Sequence, residues 1–206
     1  MKFIRISDGG IEAAATEAAR VLRSGGIVLY PTDTLYGLGV DALNPVAVEK
    51  LRHLKGREKK KPMSIIVPDV AALHTHATLH GEAHTLAAKH LPGALTLVLP
   101  AKSHIPETLT LNGAVGIRVP SDPFALALAD AFGGPYTATS ANRAGRTTES
   151  TPMGIISSFG HASHLIDLVI DDGPRAGGTP STVVRYTDNA PAILREGMLS
   201  RSELGF

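Results

Sequence analysis

Apolar positions along the chain follow two rhythms. In residues 11–23, Ile11, Ala14, Ala15, Ala18, Val21 and Leu22 share one helical face. Gly25 and Gly26 predict the stop of that helix. Asn44 followed by Pro45 reads as an N-cap with proline at the first helical position, opening a helix that buries Ala47, Leu51 and Leu54 and ends near Gly56. Two further helices are expected, one over residues 82–91 and one capped by Asp122-Pro123.

Between the helical stretches lie short apolar runs of strand length: IVLY (27–30), MSIIV (63–67), ALTLVL (94–99), VGIRVP (115–120), YTATS (136–140), DLVID (167–171), STVVRY (181–186) and PAILR (191–195). Strands alternating with helices imply a layered α/β structure. The connection from Tyr186 to Pro191 is too short for a parallel crossover, so the sheet is expected to be mixed. No repeat and no long linker divides the chain, and residues 1–206 are expected to form one domain.

Composition narrows the function classes. The chain is 43% hydrophobic and 19% charged, which is globular rather than disordered. A formal net charge of +1 excludes global attraction to nucleic acid or membranes, so any anion site is local. There is no cysteine, hence no disulfide framework and no thiolate chemistry. Neither a signal-peptide core nor an apolar run of membrane-spanning length is present, and a cytoplasmic location is expected. With no Trp, four Tyr and five Phe, stacking platforms for single-stranded bases are scarce.

Polar residues gather at strand ends. KGREKKKP (55–62) packs five cations into eight residues beside a predicted strand. PTDTLYGLG follows the strand at 27–30, TSANRAG follows the strand at 136–140, and GGTP precedes the strand at 181–186. Arg118 sits inside a strand and Arg195 ends one. In open α/β sheets ligands bind beside strand ends, and glycines there let backbone N–H groups approach an anion. Each signal also has a plainer reading. The cationic run can be a solvated loop, PTDT a hydroxyl or Asx turn, SAN an N-cap, and Arg118 a paired structural arginine. Phosphate-loop, dinucleotide-loop, nucleophile-elbow and HExxH motifs are absent. HTHATLHGEAH carries His74, His76, His80 and His84; His80 and His84 would share a helical face, but without further ligands this reads as a surface cluster rather than a metal site.

YPTDTLYGLG, KGREKKKP, LPGALTLVL, GIRVPSDP, TSANRAG, STVV and LREG occur in the order found in the YrdC-like family, the threonylcarbamoyl-AMP synthases, and the chain resembles that family over residues 26–197. The resemblance implies a three-layer α/β/α fold with a twisted mixed sheet around a basic cavity. It implies a nucleotidyltransferase that makes threonylcarbamoyl-AMP and pyrophosphate from L-threonine, bicarbonate and ATP, for threonylcarbamoyladenosine modification of tRNA. Carried over by motif, Lys55 and Arg57 form the KxR pair facing ATP phosphates, with Lys61 beside them. Ser140 and Asn142 form the SxN pair on the nucleotide side, and Thr148 and Arg195 join them. Thr34, Arg118 and Ser181 match positions that hold L-threonine, with Arg118 as partner of its carboxylate. No catalytic nucleophile is implied, because the chemistry needs alignment and charge neutralisation. Mg²⁺ is expected through the ATP phosphates, with no protein metal site. Many members carry a histidine near the end of the strand after KxR, where Ile66 stands here. The extra C-terminal domain of longer members is not expected. As exposed cations, Lys55 and Arg57 are expected to add little to stability. Two other classes fit parts of the pattern: a non-catalytic module binding double-stranded RNA in the basic concavity, and an assembly subunit of the downstream tRNA-modification machinery.

Overall fold

The computed structural model describes residues 1–56, 61–175, 178–187 and 191–206. Among these, ten strands form one mixed sheet in the order β1-β8-β2-β3-β7-β4-β6-β5-β9-β10. In chain order the strands are β1 (Lys2–Arg5), β2 (Val28–Tyr30), β3 (Gly37–Gly39), β4 (Ser64–Ile66), β5 (Leu95–Pro100), β6 (Ala114–Arg118), β7 (Tyr136–Ser140), β8 (Leu168–Asp171), β9 (Thr182–Arg185) and β10 (Ala192–Arg195). The β9–β10 pair is antiparallel, as its short connection requires, whereas β4–β6 and β5–β9 are parallel.

Helices follow the apolar stripes. The first, α1 (Ile6–Arg23), is kinked at Gly10, whose φ of +81° and ψ of 167° are not helical, so a short polar turn precedes the apolar stripe. The second, α2 (Pro45–Lys55), begins at Asn44, whose side chain accepts from the N–H groups of Val46 and Ala47, and it ends at Gly56 in the left-handed region. α3 (Val70–His76) and α4 (Gly81–His90) follow, then α5 (Pro123–Phe132), capped by the Asp122 carboxylate, then α6 (Pro152–Phe159) and α7 (Arg201–Leu204). No helix among the described residues is long and apolar enough to cross a membrane.

The two faces of the sheet are covered differently. On one face Leu29, Leu38, Ile65, Leu97, Ile117, Val169 and Val184 pack with the apolar sides of α2, α3, α4 and α6 in one large core. On the other face α1 and α5 cover only the part of the sheet carrying Val28, Tyr30, Tyr136, Leu168 and Ile170. Beyond that cover, Gly116 and the side chains of Ser64, Thr96, Arg118 and Val183 line cavities. The half-covered sheet therefore creates the space in which a site can form.

Two strands are missed by the apolar pattern, and one of them, β3, borders that space. The strand β3 lies within YGLG, which reads as loop because glycines depress strand propensity. Here they are required: a Cβ on Gly37 would stand 2.9 Å from the Tyr30 ring, and one on Gly39 3.0 Å from the same ring. The Tyr30 and Tyr136 rings meet edge-on with centroids 5.4 Å apart, and the two glycines leave room for them. The edge strand β1, parallel to β8, carries no apolar alternation strong enough to announce it.

Candidate active site

The cavity on the open sheet face has a volume of about 610 Å³. It is lined from four directions: the turn after β2, the middle strands β4 and β6, the loop after β7, and the segments flanking β9 and β10. Thr34, Arg118, Ser140, Asn142, Thr148, Ser181 and Arg195 all line it. Arg118, Arg146 and Arg195 supply positive charge, and no carboxylate occurs among the described lining residues. Hydroxyls of Thr32, Thr34, Ser64, Thr96, Thr139, Ser140, Thr147 and Ser181 complete the wall. Such a lining suits a polar anion with several acceptor oxygens.

At one end, Arg118 is held on three sides. Its Nη2 lies 2.5 Å from Asp33 Oδ1, Nη1 donates to Thr34 Oγ1 at 3.1 Å, and Nε donates to the Gly93 carbonyl at 3.3 Å. Asp33 is itself fixed by the Ser121 hydroxyl, at 2.8 Å. The structural-arginine reading is therefore correct in part: a carboxylate distant in sequence pairs with Arg118, and a ligand is not needed to satisfy it. The hydroxyl-turn reading of PTDT is likewise correct, since Thr32 Oγ1 accepts from the N–H groups of Thr34 and Leu35. Both features nevertheless line the cavity.

Across the cavity, Arg195 donates from Nη2 to the Ser181 carbonyl at 2.8 Å and to Ser181 Oγ at 3.3 Å, and Ser181 Oγ lies 2.9 Å from Thr96 Oγ1. Burial, and then the like charge of Arg118, lower the Arg195 pKa below the usual arginine value. Two cations close enough to disfavour each other gain most from an anion placed between them. Burial raises the Tyr30 and Tyr36 phenols, which stay protonated at the cavity floor.

The third wall is the loop after β7. Ser140 and Asn142 do not cap a helix there; the next helix is α6. Instead Ser140 Oγ donates to Asn142 Oδ1 at 2.5 Å, and the Asn142 amide donates to the Arg146 carbonyl. Lys55 holds this loop from behind. Its ammonium donates to the carbonyl of Ser140, to that of Asn142 at 2.8 Å and to Asn142 Oδ1 at 3.4 Å. The side chain is 2% exposed, so the expectation of an exposed lysine is corrected: it is buried under the SxN loop, and it is absent from the cavity lining. Lys61 is exposed and also absent from the lining; its carbonyl accepts from Arg52 Nη1 at 3.1 Å. Arg57, with the rest of residues 57–60, lies outside the described residues.

The motifs did not single out Thr96 or Arg146. Thr96 breaks the apolar run LTLVL at a position facing the cavity, a signal available in the sequence. Arg146 is one of two arginines in the glycine-containing stretch ANRAGRT. The histidines lie elsewhere. His80 precedes α4 as its N-cap rather than sharing a helical face with His84. His76 Nδ1 is 2.9 Å from His104 Nε2, and the His74 and His84 rings are 6.0 Å apart.

A second cavity of about 520 Å³ opens on the same sheet face and shares Pro62, Met63, Ser64 and Val183 with the first. Its walls are mainly apolar, with Val98, Pro100, Leu111, Ala114 and Leu194, and Asn112 and Arg185 add polar groups.

A family described as Telomere recombination, Sua5_yciO_yrdC, matches residues 20–197. The threonylcarbamoyl-AMP synthase of Bacillus subtilis is 35% identical over 195 residues, covering 91% of this chain and 54% of that protein. The chain thus spans about half the length of that curated relative. Among solved structures, Pyrococcus abyssi Sua5 complexed with L-threonine superposes with a TM-score of 0.88 at 33% identity, covering 98% of this chain and 59% of that one. Escherichia coli YciO superposes with a TM-score of 0.87 at 29% identity, covering 98% of both chains.

Proposed function

The chain belongs to the Sua5/YciO/YrdC family, and on that premise we propose that it is an L-threonylcarbamoyladenylate synthase. One observation carries the reading: a concave cavity with three arginines, a rim of hydroxyls and no carboxylate among its described lining residues. An RNA backbone is recognised across a broad exposed surface, whereas this lining is concentrated inside a concavity of small-molecule size.

In this reading, the amine of L-threonine and bicarbonate condense to a carbamate with loss of water. A carbamate oxygen attacks the α-phosphorus of ATP, and pyrophosphate leaves. Arg118 and Thr34 would hold the amino acid, with Ser181 facing them across the cavity. Ser140, Asn142, Thr148 and Arg195 would receive the phosphates, and Arg57 and Lys61 would add charge from the KGREKKKP segment. The second, more apolar cavity would seat the base. Both reactants are anionic, so neutralising and aligning them is the main demand. Mg²⁺ would enter with the ATP phosphates, since the described lining residues include no carboxylate. The product would pass to the tRNA threonylcarbamoyl-transfer machinery in the cytoplasm.

The test is turnover by the purified protein alone. Pyrophosphate release should require L-threonine, bicarbonate and ATP together, and mass spectrometry should detect the threonylcarbamoyl adenylate. No release under these conditions would refute the reading.

A further inference from the structure

A chain of hydroxyls behind Arg118 fixes which way Thr34 faces a ligand. Thr32 is 5% exposed, and its hydroxyl donates to the Leu35 carbonyl at 2.6 Å. A hydroxyl carries one hydrogen. In the 3.1 Å contact between Thr32 Oγ1 and Thr34 Oγ1, the hydrogen must therefore come from Thr34. On its other side Thr34 Oγ1 accepts from Arg118 Nη1 at 3.1 Å. Its hydrogen is committed and only lone-pair capacity remains.

We propose that Thr32 is a positioning residue for the amino-acid substrate: it locks the Thr34 hydroxyl as an acceptor, which takes the substrate α-amino group while the carboxylate takes the remaining hydrogens of Arg118. The proposal rests on the synthase reading and adds to it an orientation and a residue that acts through Thr34. The alternative arrangement, with Thr34 donating to the carboxylate, would break the Thr34–Thr32 contact. Such a lock also selects the ligand class. A carboxylate without an amine leaves the Thr34 lone pair unmatched in a half-buried site, whereas an α-amino acid matches both groups.

The experiment compares L-threonine with 3-hydroxybutanoate, which keeps the carboxylate and side-chain hydroxyl but lacks the amine, by isothermal titration. Wild type should bind L-threonine roughly 10- to 150-fold more tightly, the range for a hydrogen bond to a charged group. In Thr32→Val the Thr34 hydroxyl is free to turn and donate, so that ratio should shrink about tenfold, and Thr32→Ser should restore it. Loss of stability alone would weaken both ligands and leave the ratio unmoved. A wild-type ratio retained in Thr32→Val would overturn the proposal and leave the synthase reading intact. No binding of L-threonine to wild type, in the presence or absence of ATP, would overturn the synthase reading and the proposal with it. Should Thr32→Val fail to fold, Thr34→Val decides. It should weaken L-threonine and spare 3-hydroxybutanoate, and equal loss for both would overturn the proposal.

Discussion

The ammonium of Lys55, at the last position of α2, lies 2.8 Å from the carbonyl oxygen of Asn142. The same lysine accepts from the Ala144 N–H through its own carbonyl, at 2.9 Å. A cation from the most charged segment of the chain is thus part of the foundation of the SxN loop.

Replacing Lys55 by Met should therefore destabilise the fold. It strips acceptors in a buried place of their donor, which costs about 1–3 kcal/mol. For a chain of this size each kcal/mol corresponds to roughly 2–4 °C in Tm. Thermal unfolding measures this directly. A Tm equal to wild type would show that the loop carbonyls find water instead.

Arg118→Lys tests the amino-acid end. Lysine keeps the charge and loses the fork that serves Asp33, Thr34 and Gly93 together. L-threonine affinity should fall roughly 10- to 150-fold, ATP affinity should fall less, and Tm should drop because the Asp33 pair is disturbed. Unchanged L-threonine affinity in titration calorimetry would remove Arg118 from the amino-acid site.

Gly197, the last residue of LREG, is predicted to be intolerant of a side chain. A Cβ there would run into the Pro180 carbonyl and stand 2.6 Å from the Ser181 carbonyl carbon. These are backbone atoms of the segment that carries Ser181 and takes the Arg195 hydrogen bonds. Gly197→Ala should lower urea stability by about 1–3 kcal/mol, the cost of overpacking, and should weaken ATP binding. Full stability and affinity would show that the segment can shift freely.

An acid-limb prediction concerns Glu17 on α1. Hydrogen bonds from Arg20, and then from Lys2, lower its pKa from 4.5 to about 2. A depressed carboxylate stabilises the folded state above the unfolded pKa and loses that contribution as pH falls toward the folded one. The stability gap between wild type and Glu17→Gln should be present above about pH 5 and close by about pH 2. It should stay under about 1 kcal/mol, because both cations are largely exposed. Urea titrations across that range measure it, and a gap independent of pH would contradict the assignment.

Much of the architecture was legible because burial writes itself into period and punctuation. The stripe from Ala14 to Leu22, the Asn44-Pro45 and Asp122-Pro123 starts and the apolar strands all reflect faces that must leave water. The strand β3 was not legible, because its glycines answer to tyrosine rings that reach it only in three dimensions. The site shows the same division. Strand-end position marked Arg118, Arg195 and the segments around them, the family resemblance picked out Thr34, Ser140, Asn142 and Ser181, and all six line one cavity. That Asp33 would pair with Arg118 and that Lys55 would turn inward depend on contacts across 85 and 87 residues of sequence, which no local pattern encodes.

The interleaved strand order has a consequence for the order of synthesis. Its strand neighbours β5 and β9 join residues 95–98 to residues 182–185, and Arg195 comes from the strand after them. A ribosome will have made the Thr34 turn, Arg118 and the SxN loop long before the chain reaches Ser181 and Arg195. Until β9 and β10 dock, the nascent protein has an open sheet edge at β5 and an incomplete anion cradle. In the synthase reading, ATP binding would therefore wait for Ser181 and Arg195, and it would report completion of folding rather than its onset.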